Sequence, residues 1–172
     1  MHFSAEAFSE ADFQDIQGLV RFAHNHLGSA RYILLNIADA AAARAWLASA
    51  PITSAATTQK PDVALQVAFT YDGLKAIGIP GRMLKDFSDE FIVGMAGDES
   101  RSRRLGDIGP NDPEKWQWGR SGKVPHMIVL LFAASDERLA SREAEIKRDP
   151  WSKAFTEWHS LSTNDIGGIE PF

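Results

Sequence analysis

The chain has 172 residues, 44% hydrophobic and 24% charged, which is the composition of one ordinary globular domain. A net charge of −5 without a long basic run excludes a general binder of nucleic acid or anionic membranes. With no cysteine there can be no disulfide, thiolate metal site or cysteine nucleophile. The start of the chain, Met1-His2-Phe3-Ser4, has no basic region leading into an apolar run, and no apolar stretch approaches the ~18 residues of a membrane span, so a cytoplasmic protein is expected.

Residues 1–14 are small and polar and are expected to be a loose lead-in to a single domain over 15–172. Arg31–Ala38 forms the first predicted strand. Ile33, Leu35 and Ile37 fall on one face, while Tyr32 and Leu34 make the other face apolar too, as in a central strand covered on both sides. Asp39 is placed to cap a helix over the alanine-rich run Ala40–Ala50, which Pro51 stops. In the second strand Val63, Leu65, Val67 and Phe69 alternate with Ala64, Gln66 and Ala68, which predicts one buried face and one opposite face.

Residues 71 to about 125 read as an insertion of short helices. Pro80-Gly81 breaks it once, and Ser88 can cap a helix with Phe91, Ile92 and Met95 as its stripe. Leu105–Gly122 is then rich in Gly, Pro and Trp and is expected to be an irregular, functional loop. Pro125–Ala133 is a third strand, apolar on both faces. Asp136–Arg148 is a charged helix capped by Ser135, with Leu139 and Ile146 inward and Glu143 paired to Lys147. Phe155–Ser162 is a fourth strand, with Phe155, Glu157, His159 and Leu161 set opposite Thr156, Trp158 and Ser160. The order β-α-β, helical insertion, β-α-β predicts an α+β, ferredoxin-like fold with a four-stranded antiparallel sheet. Both helices then cover one face, leaving the other for the insertion or a partner.

The candidate chemistry is sparse. His24 and His26 have His-x-His spacing, which metal sites use, but no acidic cluster adjoins them and they read as a solvated loop pair. His126 precedes a strand and His159 lies inside one, where backbone-bonded structural roles are expected. No Gly-x-Ser-x-Gly elbow exists, and Gly106-Asp107-Ile108-Gly109 lacks the spacing and lysine of a phosphate loop. Asp86, Asp89, Glu90, Asp98, Glu99 and Asp107 read as a solvated face, and Trp116, Trp118, Trp151 and Trp158 as packing residues. The residues alone identify no catalytic or metal site.

An ordered series of segments carries a resemblance. Asp15-Ile16-Gln17-Gly18, Ala30-Arg31-Tyr32, Ala42–Leu47, Pro61–Leu65, Ala68–Leu74, Asp89-Glu90-Phe91, Gly94-Met95-Ala96 and Arg104–Asp107 with Gly109-Pro110 resemble the N-terminal half of the dye-decolorizing (DyP-type) haem peroxidases. The resemblance implies two ferredoxin-like halves around one haem b, with hydrogen peroxide reduced and dyes or phenolics oxidised. It also implies that the distal aspartate follows a segment like Glu170-Pro171-Phe172, with the distal arginine and proximal histidine further on. None of the five histidines here matches the proximal position, so no catalytic residue carries over.

The expectation is an inactive scaffold half that binds no haem specifically by itself. Its partner would be the missing C-terminal half, or a second copy, through the uncovered sheet face. Residues Phe91–Asp107 are the best candidates for a haem wall. The alternatives are a non-catalytic ferredoxin-like module that dimerises through that face, and a small haem-binding α+β enzyme using His126 or His159.

Overall fold

The computed structural model describes residues 10–56 and 60–166. In chain order the elements are α1 (Glu10–Asp15), α2 (Gly18–Arg21), β1 (Ser29–Ile37), α3 (Ala40–Ser49), β2 (Val63–Phe69), α4 (Tyr71–Ala76), α5 (Gly81–Leu84), α6 (Asp89–Val93), α7 (Glu99–Leu105), β3 (Met127–Ala133), α8 (Asp136–Ile146), α9 (Trp151–Ala154) and β4 (Phe155–Ser162). The strands form one antiparallel sheet in the order β2-β3-β1-β4. This is the expected ferredoxin-like arrangement, and the two strands apolar on both faces, β1 and β3, lie at its centre. The short α1 occupies the end of the stretch expected to be a loose lead-in. Gly167-Gly168 and Glu170-Pro171-Phe172 lie outside the described residues.

Helices α3 and α8 form where a cap and an apolar stripe coincide. The Asp39 carboxylate accepts from the Ala42 N–H at 2.8 Å, and the Ser135 hydroxyl accepts from Arg138 N–H at 3.4 Å. Both helices bury their stripes on the face made by Ile33, Leu35, Leu65, Val67, Val129 and Leu131. Each such side chain contributes roughly 1.5–3 kcal/mol through removal from water. Trp46 seals the far end: it meets Trp151 and Phe155 edge-on at 5.2 and 5.3 Å, and its indole N–H donates to Ile146 O at 2.8 Å. The expected Glu143–Lys147 pair forms at 2.9 Å and extends to Glu157, also at 2.9 Å. Burial opposes the Lys147 charge, but its hydrogen bonds to Glu143 and Glu157 outweigh that and raise its pKa.

The alternation in β2 holds. Leu65 and Val67 enter the core, with Val63 and Phe69 packed against it. Gln66 points to the opposite face, yet it is only 1% exposed. Residues 16–20 and 53–55 cover it there: its amide donates to Thr53 O at 3.0 Å and its carbonyl accepts from Leu19 N–H at 3.3 Å. Gln17 also closes the outer edge of β2, donating to Val67 O at 2.9 Å and accepting from Val67 N–H at 2.8 Å. A side-chain amide thus takes the place of a neighbouring strand. Beyond this clasp the second face stays partly open, with Tyr32, Ile128 and Leu130 half-buried and Leu161 42% exposed.

Two expectations need correction. The pairing of β4 with β1 shifts register between Leu34 and Leu35. Phe155 and Glu157 therefore face the helices, whereas His159 and Leu161 pair with Leu34 and Tyr32 on the open face. A β-bulge inserts one residue and reverses the alternation beyond it, so Phe155, Glu157, His159 and Leu161 do not share one face as the sequence reading had them. In the insertion, α6 ends at Val93 because Gly94 turns out of the helix at φ 73°. Met95 is consequently 55% exposed rather than part of a buried stripe. The next segment forms α7, which Asp98 caps by accepting from Ser100 N–H at 2.8 Å, with Arg103 and Arg104 exposed.

Candidate functional site

The insertion is anchored where β2 ends. Thr70 Oγ1 accepts from the Gly73 N–H at 3.1 Å to start α4 and donates to Pro125 O at 2.8 Å, while the Thr70 N–H donates to His126 O at 3.1 Å. Gly73 is required at this crossing, since a Cβ there would lie 1.7 Å from His126 O. This close approach of α4 to the start of β3 opens two adjoining cavities, which share Asp72, Gly122 and Val124 in their walls.

The larger cavity, about 780 Å³, lies between the end of β2, α6 and the 116–125 loop. Its walls are aromatic and apolar, with Phe69, Tyr71, Phe91, Ile92, Trp116 and Trp118 among them, and Arg120 is its basic member. Phe91 is held by Phe87 at 4.8 Å and by Tyr71, edge-on, at 6.4 Å. Of the expected Phe91–Asp107 wall, only the first part, Phe91 to Gly97 with Glu90 before it, lines this cavity. Hydrogen bonds from its own backbone N–H and from Ser88 hold the Glu90 carboxyl below the usual range. The smaller cavity, about 490 Å³, is polar and is lined by Asn36, Asp72, His126 and Trp158.

The histidines do not converge. His126 faces the smaller cavity, and its Nδ1 accepts from the Ile37 N–H at 3.0 Å. Burial lowers its pKa, with the Asp72 carboxylate opposing the shift. His159 stacks on Trp158 at 6.2 Å within β4. His24 and His26 have ring centroids 6.4 Å apart, and His26 Nε2 lies 2.9 Å from Pro61 O. His24 corrects the expectation of a solvated pair: it is 3% exposed, lies 5.6 Å from the Phe132 ring, and both ring nitrogens are without a hydrogen-bond partner among the described residues. Burial, then the neighbouring His26, lowers its pKa. Among the described residues no three His, Asp or Glu side chains gather as a metal site, and no helix is long and apolar enough to cross a membrane.

A histidine-ligated haem does not fit these walls. No histidine lines the larger cavity. In the smaller one the Ile37 N–H occupies the Nδ1 lone pair of His126, so the neutral ring carries its proton on Nε2, the nitrogen free to face a ligand. A ligating histidine has the opposite arrangement: it binds metal with one bare nitrogen and donates from the other. The sequence reading missed Arg120 and the placing of Asp72 and His126 in one cavity wall, because 54 residues separate Asp72 from His126 and no local pattern links them.

Comparisons with known proteins agree with this scaffold. No curated protein matches the chain. Among solved structures, a dye-decolorizing peroxidase from Auricularia auricula-judae superposes with a TM-score of 0.68 at 21% identity over 86% of this chain and 32% of its own. A second structure, a dye-decolorizing peroxidase in complex with 2,6-dimethoxyphenol, gives 0.65 at 24% identity over 86% and 33%. A fungal DyP-type peroxidase from A. auricula-judae gives 0.67 at 22% identity over 91% and 34%. The chain thus spans about a third of the length of these structures, which share its fold. A family model described as the DyP dimeric alpha+beta barrel domain matches residues 13–165, from within α1 to past the end of β4, and the chain accordingly belongs to that family.

Proposed function

We propose that residues 15–172 act as one unit, the N-terminal half of a haem b-dependent DyP-type peroxidase that reduces hydrogen peroxide and oxidises dyes or phenolics. On this reading the chain supplies scaffold and no catalytic residue, works in the cytoplasm, and meets its C-terminal half across the open sheet face. The observation that carries the reading is the match over residues 13–165 to a family whose solved members are about three times as long. The locked His126 tautomer supports placing the axial histidine elsewhere.

The test is haem titration of the 172-residue chain, followed by absorbance and dye oxidation, alone and with a C-terminal half from a DyP-type peroxidase. The expected result is no histidine-ligated spectrum and no turnover above free haem for the chain alone, with both gained on adding the second half. A saturable one-to-one histidine-ligated spectrum with turnover from the chain alone overturns it.

A second reading is favoured by the exposure of Leu161 beside half-buried Tyr32, Ile128 and Leu130. The chain is then a non-catalytic ferredoxin-like module that pairs with a second copy through that face. A stable haem-free dimer in size-exclusion chromatography, lost in Leu130→Lys, distinguishes it.

A further inference from the structure

The larger cavity is walled by residues of this chain alone. Its volume of about 780 Å³ lies in the range of small-molecule pockets. Trp116 spends its indole N–H on Asn111 O at 2.9 Å, so it offers the cavity ring surface rather than a donor. Phe91 is braced by Phe87 and Tyr71. These rigid aromatic walls fit a flat ring system.

The charge inside the cavity selects among flat molecules. Arg120 is a lining residue whose side chain is only 22% exposed. Its Nε donates to Trp116 O at 3.1 Å, which fixes the guanidinium plane. Its only carboxylate partner among the described residues is Glu114, at 3.4 Å, with a side chain 76% exposed. Such a long, solvated pair leaves the guanidinium most of its charge, and its loss is worth only a few-fold in the binding of an anion. The Nη2 nitrogen has no hydrogen-bond partner among the described residues. The carboxylates in the wall do not compete for it: Asp72 is paired with Lys75 at 2.6 Å, and Glu90 sits exposed at the rim. A half-buried guanidinium with a spare donor edge in an aromatic pocket matches a carboxylate, which it can bind through two parallel N–H donors.

We propose that this pocket binds a planar aromatic carboxylate of two or three fused rings, its rings against Trp116, Trp118 and Phe91 and its carboxylate on Arg120. The site stands apart from the peroxidase reading, because it needs neither haem nor a second half of the chain.

Calorimetric titration of the 172-residue chain with 2-naphthoate tests it, with 2-naphthamide as the neutral isostere. Naphthoate is expected to bind one-to-one and about tenfold or more tighter than the amide, because one charge-assisted contact separates them. R120Q is expected to remove that preference. E114Q, at an exposed position, is expected to tighten naphthoate binding by roughly two- to fivefold by releasing the guanidinium. This gain holds the test open if R120Q disturbs the loop. Equal binding of acid and amide, no saturation at millimolar naphthoate, or E114Q without effect overturns the proposal. So do amide shifts that fall on Tyr32 and Leu130 instead of Trp116 and Trp118.

Discussion

The backbone N–H of Ile37 donates to Nδ1 of His126 at 3.0 Å, joining the end of β1 to the residue just before β3. The bond assigns the proton of the neutral ring to Nε2. Nitrogen-15 spectra are expected to show a bare Nδ1 and a protonated Nε2. His126→Ala leaves the Ile37 N–H without its partner and is expected to cost about 1–3 kcal/mol in urea denaturation, while leaving any absorbance from adsorbed haem unchanged. A haem spectrum abolished by this substitution would contradict the tautomer argument.

Gly73 and His126 test the same junction from the other side. The 1.7 Å clash of an added Cβ is with backbone oxygen, which cannot swing away as a side chain does. Gly73→Ala is expected to displace α4 from β3 and cost more than 3 kcal/mol, toward the upper tail of single substitutions. Gly28→Ala, with nothing within 4 Å of the added Cβ, is the control and should change the midpoint little.

Gln17 closes the edge of β2 with both ends of its amide. Gln17→Ala is expected to cost about 1–3 kcal/mol through the two unpaired backbone groups of Val67. It should also speed hydrogen exchange at the Val67 amide far more than at Val129, which lies in a central strand. Equal acceleration at both sites would indicate global loosening instead.

His24 predicts a pH dependence. Its pKa is lowered on folding by burial and by His26, and His126 shifts in the same direction through burial. Below about pH 6.5 the unfolded histidines take up protons that the folded ones resist. Stability is therefore complete above that value, and falls as pH drops through the interval down to the folded pKa values. His24→Asn, which tolerates the φ of 50° at this position, is expected to flatten the decline in urea midpoint between about pH 7 and pH 5. An undiminished slope would assign the decline to other groups.

The sequence by itself determined the order of the four strands and the two long helices, and the inward faces of β2, α3 and α8. Period-two alternation in β2, strands apolar on both faces at β1 and β3, and the caps Asp39, Ser88 and Ser135 are local signals, readable within a few residues. They were enough for the four-stranded sheet and its helix-covered face. The ordered segments from Asp15 to Pro110 were enough for the family, because a series of matches in register is specific where each match alone is weak.

What the tertiary structure alone decided depends on contacts between residues far apart in the chain. Gln66 looks polar and surface-bound until residues 16–20 and Thr53 close over it. His24 looks like a solvated loop residue until Phe132 and the turn at Gly18 enclose it. The bulge in β4 is set by pairing with β1, so no alternation within Phe155–Ser162 could announce it. Arg120, Phe91 and Tyr71 carry no mutual spacing in sequence, and they become one pocket only because Gly73 lets α4 rest on the backbone of His126. Burial, tautomer and cavity walls are properties of neighbours in space, and in this domain those neighbours lie tens of residues apart.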